Sequence, residues 1–107
     1  MNLLKWDRNF ALEQAADDVE LLQELLEIFK ESYRSDLTLL QEGVRKGDAK
    51  QIYSASHSIK GAAASLGIEG IRETAMEIEA DSRNGSLAVA SERVQKMEEM
   101  LLLLRAL

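Results

Sequence analysis

Apolar residues recur along the chain at helical spacing. Leu22, Leu26, Phe29, Tyr33, Leu37, Leu40 and Val44 fall within one stripe at 100° per residue and predict a long helix from about Asp18 to Val44. Leu21, Leu25, Ile28 and Leu39 widen the stripe, so this helix is expected to pack against more than one neighbour. Before it, Asp7 can cap a short helix reaching about Ala15, and Asp17 stands three residues ahead of Glu20 in a capping-box arrangement. Arg45-Lys46-Gly47 reads as a basic last turn followed by a left-handed glycine. Asp48 starts a third helix, with Gln51 as the reciprocal cap, and Gly67 ends it just after Leu66. A fourth helix, about Ile68 to Arg83, carries Ile68, Ile71, Ala75 and Ile78 on one face. After the turn Asn84-Gly85-Ser86, a last helix from about Leu87 to Leu104 turns Ala90, Val94, Met97, Leu101 and Leu104 inward. Leu102 and Leu103 lie off that face. They are expected either to pack on the short first helix or to mark where a longer chain was cut.

Short connections between amphipathic helices make neighbours antiparallel. The predicted fold is therefore all-α, an antiparallel up-down four-helix bundle with a short extra N-terminal helix, forming one domain over residues 1–107. The absence of proline suits uninterrupted helices. The absence of cysteine excludes disulfide scaffolds, thiolate nucleophiles and zinc–cysteine sites. A net charge of −6 argues against nucleic acid and against an anionic membrane surface. The apolar run Leu101 to Leu104 is far short of a membrane span, and no basic segment leads into a long apolar one at the N-terminus. A cytoplasmic location is the expectation.

The third helix departs from the pattern. Ile52, Ser56, Ile59, Ala63 and Leu66 define its core direction; His57, the chain's one histidine, then points roughly 140° away, toward solvent. Tyr53, Lys60, Ala64, Lys50 and Gly61 share that outer side at roughly 80–180°. A mid-helix glycine costs about 1 kcal/mol against alanine, and the flanking Ala62, Ala63 and Ala64 show that alanine suits the segment. Gly61 stands one turn from His57 and clears space beside the imidazole. Residues 48–67 carry Lys50 and Lys60 against Asp48, while the flanking segments are acidic, so the histidine helix is the one segment with a positive balance. A neutral imidazole is a competent nucleophile, and a phosphoryl group added to it needs a cation and room for its oxygens. Lys60 and the gap at Gly61 supply both, and a docked partner must bring the rest of the active site.

Other constellations are weaker. One histidine without cysteine cannot form the usual zinc sets. Carboxylates at helical spacing, such as Glu20/Glu24 and Glu73/Glu77, read as solvated faces. No glycine-rich phosphate loop with its lysine is present, so ATP binding is not expected. Ser54 and Ser58 flank His57 without an acid partner for a triad.

His57-Ser58-Ile59-Lys60-Gly61, followed by the alanine-rich stretch Ala62 to Leu66 and by Gly67, resembles the signature of histidine-containing phosphotransfer (HPt) domains. Asp18-Val19-Glu20-Leu21-Leu22 leading into the long helix with Phe29, Asp48 ahead of the histidine helix, and Ile78-Glu79 in the next helix are similar to the family as well. The resemblance implies a four-helix bundle that carries phosphate in a multistep bacterial phosphorelay. It implies His57 as phosphoacceptor at Nε2, Lys60 steadying the phosphoryl group or orienting the partner, Gly61 leaving room for the partner, and Gly67 ending the helix. It further implies a carrier with no ATP-dependent activity and no cofactor of its own. The partners would be response-regulator receiver domains, which supply the aspartyl phosphate and Mg²⁺, and a hybrid sensor histidine kinase in cis or in trans.

The docking surface is expected on the outer face of the third helix, through Lys50, Tyr53, Ser54, His57, Lys60, Gly61 and Ala64, with the adjoining part of the second helix. A monomer is expected. Two rivals remain: a receiver-docking module of the same fold that moves no phosphate, and the dimerising phosphoacceptor part of a histidine kinase.

Overall fold

The computed structural model describes residues 2–107. Five helices follow in order: α1 (Arg8–Gln14), α2 (Val19–Lys46), α3 (Ala49–Ser65), α4 (Glu69–Arg83) and α5 (Ala88–Leu104). Helices α2 to α5 pack in a ring, each against the next, with α5 closing back on α2, while α1 leans on α2. Cross-helix bonds fix the directions. Ser58 Oγ donates to Asp36 and Gln51 Nε2 to Glu42, so numbers fall along α3 as they rise along α2. Lys60 to Glu79 and Arg83 to Tyr53 give the same reversal between α3 and α4. The molecule is the expected antiparallel up-down bundle with a short additional helix, 42 × 22 × 21 Å.

The core is the inner stripe of each long helix. Leu22, Leu26, Phe29, Tyr33, Leu37 and Leu40 of α2 are buried, as are Ile52, Ser56, Ile59 and Ala63 of α3, and Ile71, Ala75 and Ile78 of α4. Ala90, Met97 and Leu104 are buried in α5, with Val94 and Leu101 partly so. Tyr33 is covered completely, and its hydroxyl donates to the Met97 carbonyl oxygen at 2.6 Å, tying α2 to α5. Burial pushes that phenol well above its ordinary pKa, so it stays protonated and keeps the bond.

Several local expectations are corrected. The cap of α2 is Asp18, whose carboxylate accepts from the Glu20 and Leu21 amides; Asp17 adopts φ +59° and serves the turn instead. Asp48 caps α3 by accepting from the Gln51 amide, but the Gln51 side chain reaches across to the Leu39 carbonyl and Glu42, so the reciprocal half of the box is not made. Leu21, Ile28 and Leu39 stay exposed, Ile28 by 66%, because no helix covers that flank of α2. Leu102 and Leu103 are also exposed, Leu102 by 60%, and do not pack away.

The N-terminal residues do something the helical pattern could not show. Residues 2–7 form a strap across the α3–α4 connection. Its Leu4 is buried, the Trp6 indole donates to the Leu66 carbonyl at 3.0 Å, and the Asp7 amide donates to the Gly67 carbonyl at 2.9 Å. The Gly70 amide donates to the Leu4 carbonyl at 2.8 Å. A Cβ on Gly70 would lie 1.8 Å from the Leu3 carbonyl oxygen, so the strap passes there only because residue 70 has no side chain. Gly67 has φ +67° and packs against Asp7, so it both ends α3 and seats the strap. The connection that aligns α3 with α4, and with them the histidine site, is thereby clamped.

Candidate functional site

His57 sits in the middle of α3 with 62% of its side chain exposed. Its Nδ1 is hydrogen-bonded to Oε2 of Glu79 on α4. Glu79 is the opposite case: its side chain is only 4% exposed, at a register position that continues the buried Ile71, Ala75 and Ser82 stripe of α4. Its other oxygen, Oε1, accepts from Lys60 Nζ at 2.7 Å.

Burial raises the carboxyl pKa of Glu79, but the hydrogen bonds from Lys60 and His57 and their charges outweigh it, leaving the group below the ordinary carboxylate value of 4.5. Glu79 is therefore ionised at neutral pH and can only accept. Nδ1 must then carry the proton, which assigns the Nδ1–H tautomer to neutral His57 from the bonding network. Nε2, with its lone pair, has no partner among the described residues and faces solvent. The chemical capacity of this arrangement is a single outward-facing nitrogen nucleophile whose far side rests on a buried anion.

Several of the expected residues lie along the same side of α3. The Tyr53 ring stacks on the imidazole, with centroids 5.9 Å apart and planes at 15°. Gly61 lies exposed, and a Cβ there would meet nothing within 4 Å. The fold therefore does not require glycine at that position. Lys50 and Ser54 line a groove with Tyr53, Ser82 and Arg83 on one side of the histidine. Toward the other end of α3, Leu25, Ile28, Phe29, Ala62 and Leu66 line a mainly apolar groove, edged by Gln14, Ser32 and Ser65. Ala64 is exposed beyond Lys60, whereas Gly67 belongs to the clamp at the helix end.

Sequence reasoning missed the roles of Glu79 and Arg83. A signal for Glu79 was present, since a glutamate four residues after Ala75 stands on the apolar stripe of α4. For Arg83, which lies 5.5 Å over the Tyr53 ring, nothing in its own helix marks it. The Lys60 ammonium is engaged by Glu79, a contact the sequence did not show.

Comparison with known proteins bears on the fold and the family. A comparison with curated proteins returned no significant match. Among solved structures, the chain is similar to the HPt domain of a sensor hybrid histidine kinase from Shewanella. The match has a TM-score of 0.79 and 17% identity and covers 98% of this chain and 94% of that one. At that identity the likeness concerns the fold. The Hpt domain family matches residues 24–107, a span that holds α3, α4, His57, Lys60 and Glu79. The chain belongs to the family of histidine-containing phosphotransfer (Hpt) domains.

Proposed function

We propose that this chain is a phosphocarrier of two-component signalling in which His57 takes a phosphoryl group from the aspartate of one response-regulator receiver and passes it to the aspartate of another. Family membership supports the phosphotransfer role, and one observation carries the assignment of the atom: Glu79 holds Nδ1, leaving Nε2 exposed. In the forward step the Nε2 lone pair forms a bond to phosphorus while the bond from phosphorus to the aspartyl oxygen breaks. The receiver's carboxylate departs with that electron pair. Nδ1 keeps its proton, and the positive charge gained by the ring is met by Glu79. The reverse sequence delivers the group onward.

Lys60 fixes Glu79 with one of its three N–H donors and offers the others to the phosphoryl oxygens. Gly61 leaves the approach to Nε2 clear. The receiver would supply Mg²⁺, whose charge would offset that of the phosphoryl group. The chain works as a monomeric carrier and hydrolyses no ATP. Receivers dock on Lys50, Tyr53, Ser54, Gly61 and Ala64 and on the apolar flank of α2, where Ile28 is exposed.

The test is transfer of acid-labile label from a panel of phosphorylated receiver domains to the wild type and to His57→Gln. Label on the wild type alone is expected. Equal label on His57→Gln would refute the assignment, and a receiver that binds tightly but never transfers would favour a docking module.

A further inference from the structure

In the sequence, the positive balance of the histidine helix rests on Lys50 and Lys60. The structure redistributes it, because Lys60 is neutralised by the buried Glu79. Of the other twelve lysines and arginines, six have carboxylate partners: Lys5, Lys30, Arg34, Lys46, Arg72 and Arg93. Arg8, Arg45, Lys50, Arg83, Lys96 and Arg105 have none among the described residues, and of these Lys50 and Arg83 line one groove, on α3 and α4 respectively. Tyr53 forms the wall between that groove and His57. Its ring stacks on the imidazole on one side and carries the Arg83 guanidinium 5.5 Å from its centroid, with Nη2 3.5 Å from the phenolic oxygen.

We infer that the Lys50–Arg83 groove is a subsite for a carboxylate side chain on the rim of the docked receiver's phosphoaspartate site. The inference rests on the phosphocarrier reading. A site that holds Mg²⁺ beside an aspartyl phosphate is built from carboxylates, so its rim is acidic. This chain carries a net charge of −6, and two acidic surfaces repel unless the contact itself supplies cations. Lys60 shares its charge with Glu79, and Lys50 and Arg83 add two cations in the groove that Tyr53 separates from the nucleophile. Their position on one side of His57, with the apolar groove toward the other end of α3, also gives the docking face a polarity that sets the partner's orientation. Arginine suits the subsite because its planar fork can pair a carboxylate while stacked on an aromatic ring.

The test compares two phosphodonors for the wild type, Lys50→Glu/Arg83→Glu and Arg83→Gln: a phosphorylated receiver, and phosphoramidate, which is small enough to need no docking. Both side chains are exposed, and circular dichroism checks the fold of each variant. Charge reversal is expected to lower receiver-dependent transfer about ten-fold relative to phosphoramidate labelling at low salt, with the gap closing as NaCl is raised. Arg83→Gln is expected to show a smaller loss of the same kind. An unchanged ratio overturns the inference, as does an equal fall with both donors, which would mean the cations act on the imidazole itself. A wild type that takes label from phosphoramidate but from no receiver overturns the phosphocarrier reading and this subsite with it.

Discussion

Replacing Glu79 should separate the two things it does for His57. In the wild type its carboxylate both fixes the tautomer and faces the charge that develops on the ring. A hydrogen bond to a charged group contributes about 1.5–3 kcal/mol, and a neutral one about 0.5–1.5 kcal/mol. Glu79→Gln can still accept from Nδ1–H through its amide oxygen, so it loses roughly the difference, about 1–1.5 kcal/mol. That corresponds to a fall of about ten-fold in the transfer rate. Glu79→Ala removes the acceptor altogether and leaves a cavity at a buried position, so a fall of about ten- to a hundred-fold is expected. The assay is single-turnover transfer from a phosphorylated receiver, with thermal melting to confirm that each variant is folded. The ¹⁵N shifts of the imidazole report the tautomer independently: Nδ1–H in the wild type and in Glu79→Gln, a mixture in Glu79→Ala. Wild-type rates in both variants, with the bundle intact, would refute the reasoning that the buried anion activates Nε2.

Three further outcomes follow from the same structure. Gly61→Ala is expected to stabilise the bundle by about 0.5–1 kcal/mol, since its Cβ meets nothing, whereas Gly61→Glu should block transfer while the fold survives; calorimetry and the transfer assay read the two signs. Gly70→Ala forces the strap away from α4 and is expected to cost about 2 kcal/mol, the scale of one buried leucine such as Leu4; a red shift of Trp6 fluorescence should accompany it, and an unshifted spectrum would contradict the clamp. Glu79 lies below 4.5 in the folded chain, so its stabilisation is complete above the unfolded value and is lost as pH falls through the folded one. The stability gap between wild type and Glu79→Gln should therefore shrink below about pH 4.5, and a gap constant through the acid limb would contradict the sign.

Much of this architecture is legible in the residues because helical bundles bury regular stripes. The inner faces of α2 to α5 follow from the spacing of their apolar positions, and the outward direction of His57 follows from Ile52, Ile59 and Ala63 pointing the other way. Gly61 stands out because an alanine-rich helix has a glycine where alanine would do. What stayed hidden depends on contacts between distant segments. Glu79 stands on the apolar stripe of α4, but what it binds there shows only when α3 brings Lys60 and His57 over it. The strap has no periodicity of its own, and the need for glycine at 70 exists only because the Leu3 carbonyl passes there. Leu21, Ile28 and Leu39 widen the stripe of α2 in projection, yet the ring of four helices leaves them uncovered. Arg83 gains meaning only through Tyr53, thirty residues away.

The central claim concerns one atom, and it can be measured directly. The ¹⁵N-histidine-labelled chain is phosphorylated by a receiver, and the nitrogen bonded to phosphorus is identified from ¹⁵N–³¹P coupling. The account predicts phosphorus on Nε2 of His57, with Nδ1 still protonated against Glu79. Phosphorus on Nδ1, or on any residue other than His57, would contradict it.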